Sequence, residues 1–197
     1  MKTTELVKIL RSLSKSGKHV FAAREIGVLA NENGPAVGMT LIRAQKEGLV
    51  ARVKSTWINL LDMPTLEELA LTLRSLSYIS FESALYKHGI LSQSPRGGLT
   101  LATLQRSENI STPLGDIKYL HVPQKLFFGF FGDRVALPEK AYLDNVYMNI
   151  RKGRQDISET IYRDELDRKV LLKFAARFPG YVLKAVTCTI LGTRHLS

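Results

Sequence analysis

At Gly48 the apolar pattern of this chain changes its period. Upstream, apolar residues recur at steps of three and four, the spacing of one helix face. In TELVKILRSLSKSG these are Leu6, Ile9 or Leu10, and Leu13, which predicts an amphipathic helix ending near Gly17. In AAREIGVLANENG, Ile26, Leu29 and Ala30 share a side, and Asn33-Gly34 is the stop signal. In PAVGMTLIRAQKEG, Pro35 suits the first helical position, Val37, Leu41 and Ala44 face inward, and Gly48 ends the helix. Downstream, LVARV and TWINLL are short β-rich runs with period two, and Lys54-Ser55 sits between them where a hairpin tip belongs. A tight glycine-containing turn between the second and third helices is what a helix-turn-helix requires. Three helices followed by a basic ribbon therefore predict a winged helix-turn-helix over residues 1–63.

Charge points the same way. The formal charge is +10, and a basic surface gains free energy when phosphates release their condensed counterions. Residues 1–63 carry 10 Lys and Arg against 5 Asp and Glu, and residues 64–197 carry 18 against 13. Each part is +5, so the shorter one has about twice the charge density, and nucleic-acid contacts are expected there. On the third helix, Ala36, Met39, Thr40, Arg43 and Lys46 with Glu47 point away from the apolar stripe and are placed to enter a major groove. Arg43 suits a bidentate contact to guanine, Thr40 a base or phosphate, and Met39 a thymine methyl. Arg52 and Lys54 on the wing, with Lys18 and Arg24 near the second helix, would hold phosphates. The bland alternative is a solvated basic surface on a protein-contact module.

From Pro64 onward the pattern mixes helices and strands, so the chain is expected to be α+β, with a linker at about 61–65 and a mixed C-terminal domain over 64–197. TLEELALTLRSL opens a helix, and SYISFESALYKHGIL reads as another, with Ser80 as N-cap and Gly89 at its end. LTLATL and DIKYLHV read as strands, ALPEKAYLDNVYMNIR and DELDRKVLLKFAARF as helices. The four phenylalanines of KLFFGFFGDRV suit a core, with a partner surface as the alternative.

In this order the elements resemble the AbiEi family of antitoxins from type IV toxin-antitoxin and phage-abortive-infection systems. The segment Tyr78–Gly89 matches a YxSxxSALxxHG pattern, and Pro138-Glu139-Lys140-Ala141 with Leu143-Asp144 matches PEKALLD, Tyr142 replacing the usual leucine. The wing has Val53-Lys54-Ser55-Thr56-Trp57 where many members carry Arg-Gly-x-Tyr. The resemblance implies an autorepressor that binds inverted repeats of double-stranded DNA in its own promoter, two copies side by side. It also implies a C-terminal domain that counteracts a nucleotidyltransferase-like toxin, with no direct toxin contact required. A regulator without a toxin, whose C-terminal domain senses a ligand or dimerises, remains the alternative.

No catalytic residues, metal ligands or cofactors are expected. His19, His88, His121 and His195 are far apart in sequence and form no metal-ligand spacing; Cys188 is the only cysteine. SPRGGLT lacks the GK[ST] ending of a P-loop. Asp164 and Asp167 read as a solvated helix face. In ALPEKAYLDNVY, Glu139 suits the first turn of a helix, and Lys140 and Asp144 share a face, a pairing worth at most about 0.5 kcal/mol when exposed. Tyr142 or Leu143, Val146, Tyr147 and Ile150 form the stripe expected to dock that helix. No apolar run is long enough to cross a bilayer and the N-terminus lacks a signal-peptide core, so the expected location is cytoplasmic.

Overall fold

Glycine and asparagine signals between residues 17 and 48 divide the first part of the chain into the expected helices. The computed structural model describes residues 2–95, 98–153 and 165–190, apart from the side chains of 189 and 190. Helix α1 spans Thr3–Lys15, α2 Ala23–Ala30 and α3 Gly34–Lys46. Helix α2 stops three residues earlier than its stop signal suggested, with Asn31 in the left-handed region (φ 51°). Asn33 then caps α3, its side chain accepting the Ala36 N–H at 3.1 Å. Gly27 lets the two helices turn closely, because a Cβ there would lie 3.1 Å from the Glu32 carbonyl oxygen. A short strand that periodicity missed, β1 (Val20–Phe21), joins β2 (Val50–Val53) and β3 (Thr56–Asn59) in a sheet of order β1-β3-β2. Both pairings are antiparallel, with Phe21 opposite Trp57 and Val53 opposite Thr56. Leu6, Leu10, Phe21, Ile26, Val37, Leu41, Val50 and Trp57 form one buried core.

The fold is α+β, and the chain divides into two compact units: Met1–Ser75 with Thr112–Gly115, and Leu76–Ser111 with Asp116–Ser197. The division therefore falls twelve residues beyond the expected end of the first domain at Met63. Helix α4 (Leu66–Leu73) is the reason. Its Glu68 meets His19 Nδ1 at 3.2 Å, and Asp62 meets the Nε2 of the same ring at 3.2 Å, so one imidazole holds the segment after β3 to the start of β1.

In the second unit the strands β4 (Ser77–Ile79), β5 (Leu99–Thr103), β6 (Glu108–Thr112) and β7 (Gly115–His121) form a sheet of order β4-β5-β7-β6. β4 runs antiparallel to β5, and β5 parallel to β7. Helix α5 spans Phe81–Lys87, α6 Pro138–Arg151, α7 Arg168–Ala175 and α8 Gly180–Ile190. Helix α6 differs from expectation. Every residue from Glu139 to Met148 is buried, because α5, α7 and α8 all pack against it, and a helix covered all round has no solvent face. Its first-turn Glu139 accepts the backbone N–H of Asp167 at 3.0 Å. Arg96, Gly97, Arg163, Asp164 and His195 lie outside the described residues.

Candidate nucleic-acid interface

At about 100° per residue, Pro35, Met39, Ile42 and Lys46 fall within about 60° of one another on α3, with Arg43 about 40° to one side. All five are exposed. Met39 is 56% and Ile42 46% accessible, which leaves two large apolar side chains in water on the same face as two cations. Ala36 is half-buried at the rim of this face. Thr40 is not part of it. It is only 3% exposed, and its hydroxyl donates to the Ala36 carbonyl oxygen at 3.0 Å. The expected outward position of Thr40 was off by a small rotation: Thr40 lies about 40° from Ala44 on the helical wheel and packs beside the inward stripe. Ile42 is absent from the expected outward set, although three residues from Met39 it shares that residue's face.

The hairpin adds cations. Lys54 and Ser55 make the two-residue tip, with Lys54 in the left-handed region (φ 57°), a conformation that costs a non-glycine residue about 1–2 kcal/mol. Exposed Arg52 on β2 is held in place, its Nε donating to the Lys54 carbonyl oxygen at 3.2 Å and its guanidinium lying 5.8 Å from the Trp57 ring centroid. Arg24 is exposed on α2. Beyond it, Val28 and Leu29 are also exposed, which corrects the inward place expected for Leu29: α2 ends at Ala30, and only Ile26 and Gly27 of that helix are buried.

Lys18 is engaged internally. Its Nζ donates to Glu25 Oε1 at 2.8 Å. The little burial Glu25 has would raise its pKa, but the hydrogen bonds from Lys18 and from the Ala22 N–H outweigh this and hold it below the usual value. Glu25→Gln keeps an acceptor for the Ala22 N–H, bonded at 3.0 Å, while removing the charge that neutralises Lys18. If Lys18 then reaches a phosphate, the slope of log affinity against log salt steepens by about 0.9. Duplex titrations at several salt concentrations measure this, and an unchanged slope would place Lys18 off the interface.

The two sequence motifs meet elsewhere, inside the second unit. Lys140 and Asp144 are fully buried, as are Tyr78 and Ser80. Lys140 Nζ donates to Asp144 and, at 2.7 Å, to Tyr78 Oη; Tyr78 and Ser80 donate to Asp144 Oδ2 at 2.9 and 2.8 Å. The expected capping role of Ser80 is thus not fulfilled: the helix N-cap is in place, but its hydroxyl is spent on Asp144. The Lys140 ammonium also lies 5.1 to 5.2 Å from the rings of Tyr78, Phe128 and Phe178. Burial pushes the Lys140 pKa below its usual value against the opposing pull of Asp144, and burial together with Asp144 pushes that of Tyr78 well above 10. Gly129 (φ 75°) accommodates the lysine stem, because a Cβ there would lie 2.9 Å from Lys140 Cγ.

The other motif residues hold backbone in the same way. Ser83 Oγ accepts the Thr100 N–H at 2.8 Å, and His88 Nε2 lies 2.8 Å from the Ala136 carbonyl oxygen. Phe127, Phe128 and Phe130 of the phenylalanine run are half-buried against aromatic partners, Phe130 stacking on Tyr78 at 4.4 Å, whereas Phe131 is exposed. Among the described residues, no group of three or more His, Cys, Asp or Glu is placed to hold a metal, and no helix is long and apolar enough to cross a membrane.

No family model matches the chain, and no curated protein matches it. Its fold is similar to that of the RV2827C protein from Mycobacterium tuberculosis, known from a crystal structure. The TM-score is 0.61 at 13% sequence identity, and the match covers 98% of this chain and 83% of that chain. At that identity the likeness is one of fold.

Proposed function

We propose that the first unit is a winged helix-turn-helix that binds double-stranded DNA, with α3 as the recognition helix and the β2-β3 hairpin as the wing. The observation that carries this is the exposed face of α3: Arg43 and Lys46 share it with Met39 and Ile42 on a helix whose other side is built into the core. Guanidinium and ammonium groups serve phosphates and guanine, and solvent-exposed thioether and sec-butyl groups serve thymine methyls in a major groove. On this reading Arg24, Lys46, Arg52 and Lys54 contact phosphates, so log affinity should fall with log salt at a slope of about −3 to −4 per bound copy. Electrophoretic mobility shifts over a range of salt concentrations test it. A flat salt dependence would remove DNA as the partner and leave a protein-contact module.

From the resemblance of the two motifs to the AbiEi pattern, we infer further that the DNA is the chain's own promoter, read at inverted repeats by two copies, and that the second unit makes the protein a type IV antitoxin. The decisive experiment is co-expression with the adjacent reading frame. A nucleotidyltransferase-like product that arrests growth, with growth restored by this chain, is the expected result. Absence of restoration, with both proteins made, would leave an autorepressor without a toxin.

A further inference from the structure

Helix α1 turns Leu6 and Leu10, both fully buried, into the core that it shares with Val37 and Leu41 of α3. At about 100° per residue, Thr4, Arg11, Ser12 and Lys15 fall within about 60° of Lys8, and the two leucines lie about 160° from it. All five are exposed, so the side of α1 opposite the core is a stripe about 16 Å long, made of three cations and two hydroxyls. The large apolar side chains of α1 are buried or half-buried and contribute nothing to it.

The charges of the stripe are uncompensated. Among the described residues, no carboxylate lies within ion-pair distance of Lys8, Arg11 or Lys15. Glu5, at the border, sits in the first turn, where a negative charge suits the positive end of the helix dipole. Lys15 has the corresponding reason in the last turn, but Lys8 and Arg11, further in, have none. One flank carries a fixed donor. Ser14 Oγ accepts from Nδ2 of the buried Asn59 at 2.9 Å, which leaves the hydroxyl hydrogen to be donated into a cleft that Ser14 lines with Arg11 and Lys15. Asp62, the carboxylate lining that cleft, faces the His19 ring, its Oδ2 3.2 Å from Nε2.

We propose that the outer stripe of α1 is a second surface for the phosphate backbone of double-stranded DNA, indifferent to sequence and separate from α3. Cations and hydroxyls are the groups that hold phosphates, and they read no bases there. A single strand would need aromatic platforms for its bases, and a protein partner a large apolar anchor; the stripe offers neither. One strand places a phosphate about every 3.4 Å along the duplex, so the path of about 10 Å from Lys8 to Lys15 passes about three. The inner sides of α1 and α3 meet in one core, so their outer sides diverge and a duplex seated on α3 leaves the stripe uncovered. The α1 surface goes beyond the recognition-face reading and stands without it.

Anisotropy titrations of a fluorescent duplex of unrelated sequence with the full chain test this. The reference variant combines Arg43→Ala, Lys46→Ala and Arg52→Ala, which removes contacts proposed for α3 and the wing. It should still bind the duplex at low salt, and about fortyfold more weakly at 200 than at 50 mM, the loss expected for three cations. Adding Lys8→Gln, Arg11→Gln and Lys15→Gln should weaken binding at least about tenfold more. Glutamine has nearly the helix propensity of lysine and arginine, and melting curves confirm that the variants fold. The proposal is overturned if the reference variant no longer binds duplex, or if the three glutamines leave its affinity within about threefold. It is equally overturned if a single strand binds in preference to the duplex and is lost in the same variants. The recognition-face reading fails separately, when the reference variant binds every duplex as tightly as the unaltered chain does.

Discussion

Lys140→Met should cost about 3–5 kcal/mol of folding stability, read as a lowered urea midpoint, because it leaves the Asp144 carboxylate buried without its cation. Methionine follows the path of the lysine stem over Gly129 and keeps the packing against Phe128 and Phe178, so the loss reports the charge rather than a cavity. Adding Asp144→Asn should restore more than half of it. An asparagine carbonyl still accepts from Tyr78 and Ser80, the two hydroxyls that now bond Asp144 Oδ2. A loss below about 1 kcal/mol in the single variant, or no recovery in the double, would mean that the pair is not an uncompensated charge when broken.

The pH dependence follows from the same groups. Lys140 has a pKa lowered by burial, so between its folded value and the ordinary 10.5 the unfolded chain binds more protons and stability rises with pH. Tyr78 has the opposite sign: raised well above 10, it stays protonated in the native state while the unfolded chain loses its proton, so stability falls as pH rises past 10. In Lys140→Met the first contribution disappears, and only the alkaline fall should remain.

These residues also show what a one-dimensional reading can and cannot see. The spacing of four between Lys140 and Asp144 put them on one helix face, and that was right. The pairing was valued as a surface contact because nothing within ALPEKAYLDNVY tells that other helices close over both sides of α6. Burial of the pair comes from α5, α7 and α8, which lie outside this segment of the sequence, and it turns a few tenths of a kcal/mol into several. The same distance hid the connection between the two motifs: Tyr78 and Ser80 reach Asp144 across more than sixty residues. Local signals fared better where the structure is local. The caps and glycine stops placed α1, α2 and α3 to within a few residues, whereas β1 is two residues long and exists only because β3 pairs with it. Thr40 marks the resolution limit of helical periodicity, where a rotation of a few tens of degrees decides between core and interface.

That limit can be tested at the interface itself. On the proposed DNA-binding reading, Arg43→Ala should weaken binding to a specific duplex site by about 1–3 kcal/mol, roughly a five- to 150-fold loss, while binding to unrelated duplex falls much less. The asymmetry is expected because Arg43 stands on the exposed side of α3 facing away from Val37, Leu41 and Ala44, where a bidentate contact to guanine is geometrically open to it. Lys54→Ala, at the hairpin tip, should instead weaken all sequences alike and reduce the salt slope by about one, the behaviour of a phosphate contact. Thr40→Val is the control that separates structure from periodicity. Its hydroxyl is occupied by the Ala36 carbonyl and its side chain is buried, so DNA affinity should stay within about twofold while folding stability shifts by about 1 kcal/mol or less. Ile42→Ala, at a residue whose apolar type alone suggests a core but whose side chain is exposed, should leave stability nearly unchanged and lower affinity only for sites with thymine opposite that position. If Arg43→Ala leaves the specific site untouched while Thr40→Val abolishes it, α3 meets DNA through another face and the assignment of its exposed side is wrong.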